Sequence, residues 1–274
     1  MKVYIGIDIG GSSTKIAGFN EENNLIGTLQ VRAADQITSL YGALGHFLHK
    51  YSISIKNISK IILTGVGASF IKEDIYGIPT LKVPEFEAIG HGGLNISELK
   101  EAFIVSMGTG TAIVRATSND VKHIGGSGIG GGTLSGLSSK LLRTNDILAV
   151  TKLAENGDLS NIDLSIQDIY RGNIPSLPPD LTASNFGKIK NNAADSDIAL
   201  GLINMVLQTI GVLAVFACQN DTIKDIVLVG ALSTLPQADP LYESMSNIYG
   251  VRFIIPPKSV YATVIGAVIP YLQN

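Results

Sequence analysis

Short apolar runs broken by glycine turns open the chain. Residues 2–9 (KVYIGIDI) form a hydrophobic run that stops at Gly10-Gly11, and a second run from Leu25 to Val31 follows the polar cluster EENN. Runs of this length bounded by turn residues predict strands, so the opening is expected to be strands paired about a glycine turn. The pattern predicts a helix around Ile37 to Tyr51, a buried strand at Lys60 to Gly65 with a loop behind it, and a strand-like stretch at Thr80 to Val83. Strands alternating with helices indicate a mainly parallel sheet.

The pattern then repeats. Residues 102–108 (AFIVSMG) end an apolar strand in a glycine turn, and TGTAIVRA returns from it, much as STKIAG returns from the first turn. Two similar halves are expected, although Gly, Ser and Thr favour any tight turn and can produce such a likeness alone. Residues 124–140 hold seven glycines before an apparently helical run, and residues 171–187 read as a proline-bearing connection. Asp225 to Gly230 reads as a strand and turn, Phe253 to Pro257 as another, and an apolar helix is expected from about Tyr261.

Leu200 to Cys218 approaches membrane-span length, but Asn204, Gln208 and Thr209 interrupt it, so a buried core or subunit-interface helix is expected. No targeting segment is read at the N-terminus, where Asp8 interrupts the apolar run. A chain of 274 residues exceeds what one core usually holds, so two domains with a cleft between them are expected, with the boundary near residue 100. Twenty basic against 23 acidic residues leave a net charge of −3 with no long run of either sign, which favours small-molecule chemistry over nucleic acid or membrane. A lone cysteine, Cys218, excludes an intrachain disulfide framework and fits a cytoplasmic address.

The chemistry gathers at the glycine turns. In Asp8-Ile-Gly-Gly-Ser-Ser-Thr-Lys15 a strand ends in a carboxylate, and Gly10 and Gly11 let main-chain N–H groups approach an anion closely. Ser12, Ser13 and Thr14 add hydroxyls, Lys15 adds a cation, and Asp8 suits a water-mediated magnesium ion; an ordinary β-hairpin is the alternative. Gly108, Thr109, Gly110 and Thr111 repeat the backbone-donor geometry, and two such turns gripping one nucleotide define the actin-like arrangement of two ribonuclease H-like α/β domains around an ATP cleft. Neither turn fits a Walker A or a Rossmann fingerprint. Glu85 falls in a short segment expected to be a loop, where it suits the group that orients an alcohol and takes its proton, or is simply a solvated acid. His91 and His123 lack a second ligand at metal spacing, and Cys218 is read as a small buried hydrophobe without chemistry.

Read in order, GIDIGGSSTKIAG (6–18), PEFEA (84–88), MGTGTA (107–112), HIGGSGIGGGTLSGL (123–137) and PDLTASNFG (179–187) resemble the successive motifs of type II pantothenate kinases. With Leu228-Val-Gly230 and Val264-Ile-Gly-Ala267 the resemblance runs nearly end to end. It implies an actin-like kinase that moves the γ-phosphoryl of ATP, with Mg²⁺, to the terminal hydroxyl of pantothenate, as a homodimer, on the way to coenzyme A. By resemblance Glu85 is the catalytic carboxylate, Asp8 the magnesium-associated aspartate, Lys15 the phosphate-loop lysine and Gly108 to Thr111 the second phosphate loop. The segment Gly125, Gly126 to Gly130, Gly131 and Gly132 would border nucleotide and acceptor, with Gly230 on the nucleotide and Thr182 and Ser184 on the acceptor.

The sequence departs from that family at His123, where an arginine is usual. Arginine brings a permanent charge and five donors to a carboxylate such as pantothenate's, whereas histidine brings at most two donors. A pantothenate derivative such as pantetheine therefore stays open as the acceptor. A hexosamine kinase of the same fold, or a regulatory ATPase without acceptor, also stays open, though the cysteine-rich motifs of related sugar kinases and iron–sulfur activators are absent from the sequence.

Overall fold

The first strand explains the first layer. In β1 (Val3–Ile9) alternate residues take opposite faces, so Ile5, Ile7 and Ile9 point into one core while Asp8 faces the other way. The computed structural model of the chain describes residues 2–32, 35–170 and 178–272. β1 pairs antiparallel with β2 (Ser13–Asn20), which pairs with β3 (Leu25–Arg32). Helix α1 (Gln36–Lys50), capped by Asp35 accepting from Thr38 N at 2.7 Å, covers the isoleucine face through Leu40, Leu44 and Phe47. Burying an aromatic such as Phe47, which is fully enclosed, contributes on the order of 2–3 kcal/mol. β4 (Ile58–Thr64) and β5 (Thr80–Lys82) then join β1 in parallel, and the sheet reads β3-β2-β1-β4-β5.

After helix α2 (Glu85–Ser97) the same plan recurs. β6 (Glu101–Met107), β7 (Thr111–Thr117) and β8 (Val121–Ser127) form the antiparallel part. Helices α3 (Gly131–Leu141) and α4 (Ile147–Ala154) follow, then the small β9 (Leu164–Ser165), α5 (Ile166–Ile169) and β10 (Thr182–Ser184). The long α6 (Asp195–Cys218) leads to β11 (Asp225–Val229), α7 (Ala238–Tyr249), β12 (Arg252–Ile254) and α8 (Ala262–Val268). The second sheet runs β12-β11-β6-β7-β8, the first order repeated from the opposite edge, with β11 and β12 parallel to β6. The expected doubling of the fold is present.

One backbone device is doubled with it. Gly65 follows β4 at φ +84° and Gly230 follows β11 at φ +94°, and each begins a short 3₁₀ turn. A Cβ on Gly65 would lie 2.5 Å from Asp8 Oδ1, and one on Gly230 would lie 2.6 Å from the Met107 carbonyl oxygen. Both positions combine a left-handed conformation with contact against the end of the neighbouring strand, which restricts them to glycine.

Two helices cross between the sheets. α2 packs on the second sheet, whereas α8, last in sequence, returns to cover β1, β2 and β4 of the first. They meet at Gly92 and Gly266, where a Cβ on either would overlap backbone of the other helix. This corrects the loop expected around Glu85. Helix propensity disfavours glycine, but here the glycines permit backbone contact between helices and the packing wins. The glycine-rich stretch 124–140 also differs from expectation, because α3 starts inside it at Gly131.

α6 is long and apolar enough to cross a membrane by length and composition. Instead it forms the centre of the second core, with Ile203, Leu207, Ile210 and Ala214 buried and the helix packed on β6 and β7, as expected for a core helix. Phe216 on the same helix stays 63% exposed. Cys218 is buried, and its enclosure pushes the thiol pKa up, away from reactivity. Part of the proline-bearing connection expected at 171–187, residues 171–177, lies outside the described residues.

Candidate active site

A cleft of about 950 Å³ lies between the halves, within the range of small-molecule sites. Its floor is set by strand register. Asp8 opposes Lys15 across β1 and β2, and Lys15 Nζ lies 3.4 Å from Asp8 Oδ2 with both side chains largely buried. The β1–β2 turn is closed by Gly10 N donating to Ser13 O at 3.0 Å, leaving Gly10, Gly11, Ser12 and Ser13 on the cleft wall.

The β6–β7 turn faces it. Gly108 N donates to Gly110 O at 2.9 Å, and the first turn of α3 holds the loop from behind, with Gly131 N donating to Gly108 O at 2.8 Å and Gly132 N to Thr109 O at 2.9 Å. Thr111 Oγ1 donates to Ile129 O at 2.8 Å. The two turns touch, Ser12 Oγ lying 2.9 Å from Thr109 Oγ1. Among the described residues no protein acceptor engages the N–H groups of Gly11, Ser12, Thr109 or Gly110. Unpartnered N–H groups from two opposed turns, beside a lysine, make an anion-binding concavity.

Glu85 completes the arrangement. As the first residue of α2, following Pro84, it is half-buried and lines the cleft. Burial raises its pKa above the ordinary carboxylate range, the neighbouring charge of Asp8 raises it further, and Lys15 acts in the opposite sense. A carboxyl group displaced upward by burial and a like charge is the electrostatic setting of a general base.

Of the residues singled out in the sequence, Asp8, Gly10, Gly11, Ser12, Ser13, Lys15, Glu85, Gly108, Thr109, Gly110, Thr111, Gly131, Gly132 and Gly230 line this cleft. Thr14 does not: opposite Ile9, strand alternation turns it into the core, where it is fully buried. Gly130 sits behind the second turn, a Cβ there lying 2.6 Å from Thr109 O. His123, Gly125 and Gly126 stand on β8 and do not reach the cleft wall. The His123 ring instead stacks on Phe86, next to Glu85, with centroids 3.8 Å apart and planes 4° from parallel.

Thr182 and Ser184 belong to β10, away from the cleft. Thr182 Oγ1 donates to buried Asp163 at 3.1 Å, and the same carboxylate accepts from Phe186 N at 2.9 Å and Asn204 Nδ2 at 2.8 Å. The distinctive LTASNF segment thus holds a buried acid in place. Thr182 also lines a smaller cavity of about 320 Å³ beside α6 and α7.

Sequence reasoning passed over Gln30 and Arg32, which line the cleft from β3. Their signal is register: β2 and β3 pair Lys15 with Gln30 and Ser13 with Arg32. Asn145 to Leu148, at the start of α4, line the cleft's far side.

The family model named Fumble matches residues 97–238, just over half of the chain. The type II pantothenate kinase of Staphylococcus aureus strain USA300 is 29% identical over 237 residues, covering 83% of this chain and 84% of that protein. Among solved structures, the activator of the 2-hydroxyisocaproyl-CoA dehydratase from Clostridium difficile with bound ADPNP aligns with a TM-score of 0.71 at 14% identity, over 99% of this chain and 94% of that one. The (R)-2-hydroxyglutaryl-CoA dehydratase component A of Acidaminococcus fermentans aligns at 0.73 with 13% identity, over 100% and 98%. At such identities these two structures establish the fold, which is the expected actin-like one.

Proposed function

The chain belongs to the Fumble family, and we propose that it transfers the γ-phosphoryl group of ATP to the terminal hydroxyl of pantothenate, a step toward coenzyme A. The observation that carries this reading is Glu85 facing the Asp8–Lys15 pair in a cleft walled by two glycine turns with unpartnered N–H groups. The similarity to type II pantothenate kinases supports the choice of acceptor.

The residues fit a magnesium nucleotide. Among the described residues no cluster of three metal-ligating side chains occurs, so Asp8 would hold the ion together with water and phosphate oxygens, the usual magnesium arrangement. When bound, ATP supplies the phosphoryl group and magnesium neutralises its oxygens. Lys15 and the N–H groups of Gly11, Ser12, Thr109 and Gly110 stabilise negative charge along the phosphates. Glu85 orients the acceptor hydroxyl and would take its proton as the new O–P bond forms and the bond from the γ-phosphorus to the β,γ-bridging oxygen breaks, with ADP as the leaving group; the proton then passes to solvent.

In this reading residues 1–100 carry the acceptor-side base, residues 101–274 carry most of the nucleotide site, and exposed Phe216 on α6 contributes to a subunit contact in a cytoplasmic homodimer. His123, in place of an arginine, stacks on Phe86 beside Glu85 and outside the cleft wall, so in this reading it would meet the pantothenate carboxylate only where the acceptor extends past Glu85 toward β8; an unchanged pantothenate KM in His123→Arg would remove that point.

The test is ADP release with pantothenate, pantetheine and N-acetylglucosamine offered separately, with product mass confirmed. A phosphorylated pantothenate product is expected. Turnover of only pantetheine or the hexosamine reassigns the acceptor, and hydrolysis indifferent to all three indicates a regulatory ATPase.

A further inference from the structure

Among the described residues two cations line the cleft, Lys15 and Arg32, and they are held very differently. The Lys15 side chain is 14% exposed and pairs with Asp8 at 3.4 Å. That of Arg32 is 89% exposed, and its ion-pair partner is Asp146 Oδ1 at 3.7 Å, across the cleft in the other half. This distance exceeds the roughly 2.7–2.9 Å of a strong charge-assisted hydrogen bond, and so exposed a pair is held only weakly against solvent. A guanidinium with five donors therefore stands in the cleft with one weak engagement.

Register decides where it stands. Arg32 opposes Ser13, two residues along from the Gln30–Lys15 pair, so it shares a sheet face with Lys15 and lies beside the turn whose Gly11 and Ser12 N–H groups lack partners. Asp146, its present partner, already has a duty as the cap of α4, accepting from Leu148 N at 3.1 Å.

We infer that Arg32 binds the phosphate chain of the nucleotide and that Asp146 is the partner it leaves to do so. Nucleotide entry moves the guanidinium from carboxylate to phosphate, which it can grip through two donors at once. Position favours the nucleotide over the acceptor, because Glu85 lies by the Asp8–Lys15 row while Arg32 reaches toward the start of α4. The inference rests on the cleft being an ATP site.

Calorimetric titration of wild type, Arg32→Gln and Asp146→Asn with MgATP, MgADP and adenosine tests it. Asparagine caps a helix as well as aspartate does, so Asp146→Asn removes the charge and keeps the helix start. Arg32→Gln is expected to weaken MgATP and MgADP about tenfold, the value of one hydrogen bond to a charged group, and to leave adenosine unchanged. Asp146→Asn is expected to tighten both phosphorylated ligands by about two- to threefold, since it frees the arginine. A pair that only struts the two halves would move both variants in the same direction, and that result, or wild-type ATP affinity in Arg32→Gln, overturns the inference. Failure of the wild type itself to bind MgATP would instead remove the nucleotide reading on which it rests.

Discussion

Ser12 and Thr109, 97 positions apart in sequence, bring their hydroxyls to 2.9 Å at the tips of two opposed turns. Around this contact the N–H groups of Gly11, Ser12, Thr109 and Gly110 have no protein acceptor among the described residues. In the proposed function the space beside it takes the phosphate chain. Thr109 is exposed, so its replacement leaves the core intact. Thr109→Asp is expected to weaken ATP binding by roughly 100-fold through like-charge repulsion, whereas Thr109→Val should cost less than about tenfold. Equal affinities of the two variants, measured by calorimetry, would place the phosphates elsewhere.

The raised pKa of Glu85 sets the pH profile. A base must be ionised to act, so kcat/KM should climb with pH through a group lying above the ordinary value of 4.5. Asp8 pushes that value up and Lys15 pulls it down. In Asp8→Asn the acid limb should move to lower pH, and in Lys15→Met to higher pH, whatever happens to the maximal rate. A limb that stays fixed in both variants reassigns the base.

The same group carries a linkage to stability. A carboxyl whose folded pKa is raised favours the folded state at low pH, and that advantage is lost as pH rises through the folded value. Glu85→Gln removes the cost of the ionised form, so its melting temperature should exceed wild type at pH 8 by a few degrees at most and match it near pH 4. Thermal scans at the two pH values decide this, and a gain at pH 4 alone would contradict the assignment.

The α2–α8 crossing depends on absent side chains. Gly92→Ala or Gly266→Ala forces a methyl group into backbone of the facing helix and should destabilise the protein by at least ~2 kcal/mol. Gly42→Ala is the control. Gly42 lies in α1 with nothing within 4 Å of an added Cβ, and alanine there should add about 0.5–1 kcal/mol. Urea denaturation should place the variants on opposite sides of wild type.

Asp163 is 3% exposed and accepts from Thr182, Phe186 and Asn204. Asp163→Ala strands those buried donors and should cost about 3 kcal/mol in urea denaturation. A loss below about 0.5 kcal/mol would mean that the LTASNF segment is anchored by other contacts.

The strands and both glycine turns were legible because hydrophobic runs ending in glycine have few alternatives. Glu85 was legible as a candidate but not as a helix start, since Gly90, Gly92 and Gly93 argue against a helix until Gly266 is known to lie against it. Thr14 was grouped with its neighbours because the motif is read as a string, while the strand turns alternate residues apart. Arg32 went unread because the apolar run ends at Val31, although pairing β3 against Ser13 and Lys15 would have placed it. Thr182 and Ser184 are recognisable as a motif, but only the position of Asp163 shows what Thr182 holds.

The central claim is that Glu85 takes the acceptor's proton in a cleft that binds ATP independently of it. Single-turnover phosphorylation of pantothenate by Glu85→Gln, alongside ATP titration of the same variant, tests this most directly. The account predicts a rate reduced by roughly 10²–10⁴-fold with ATP affinity close to wild type. Phosphopantothenate formed at the wild-type rate by Glu85→Gln would contradict it.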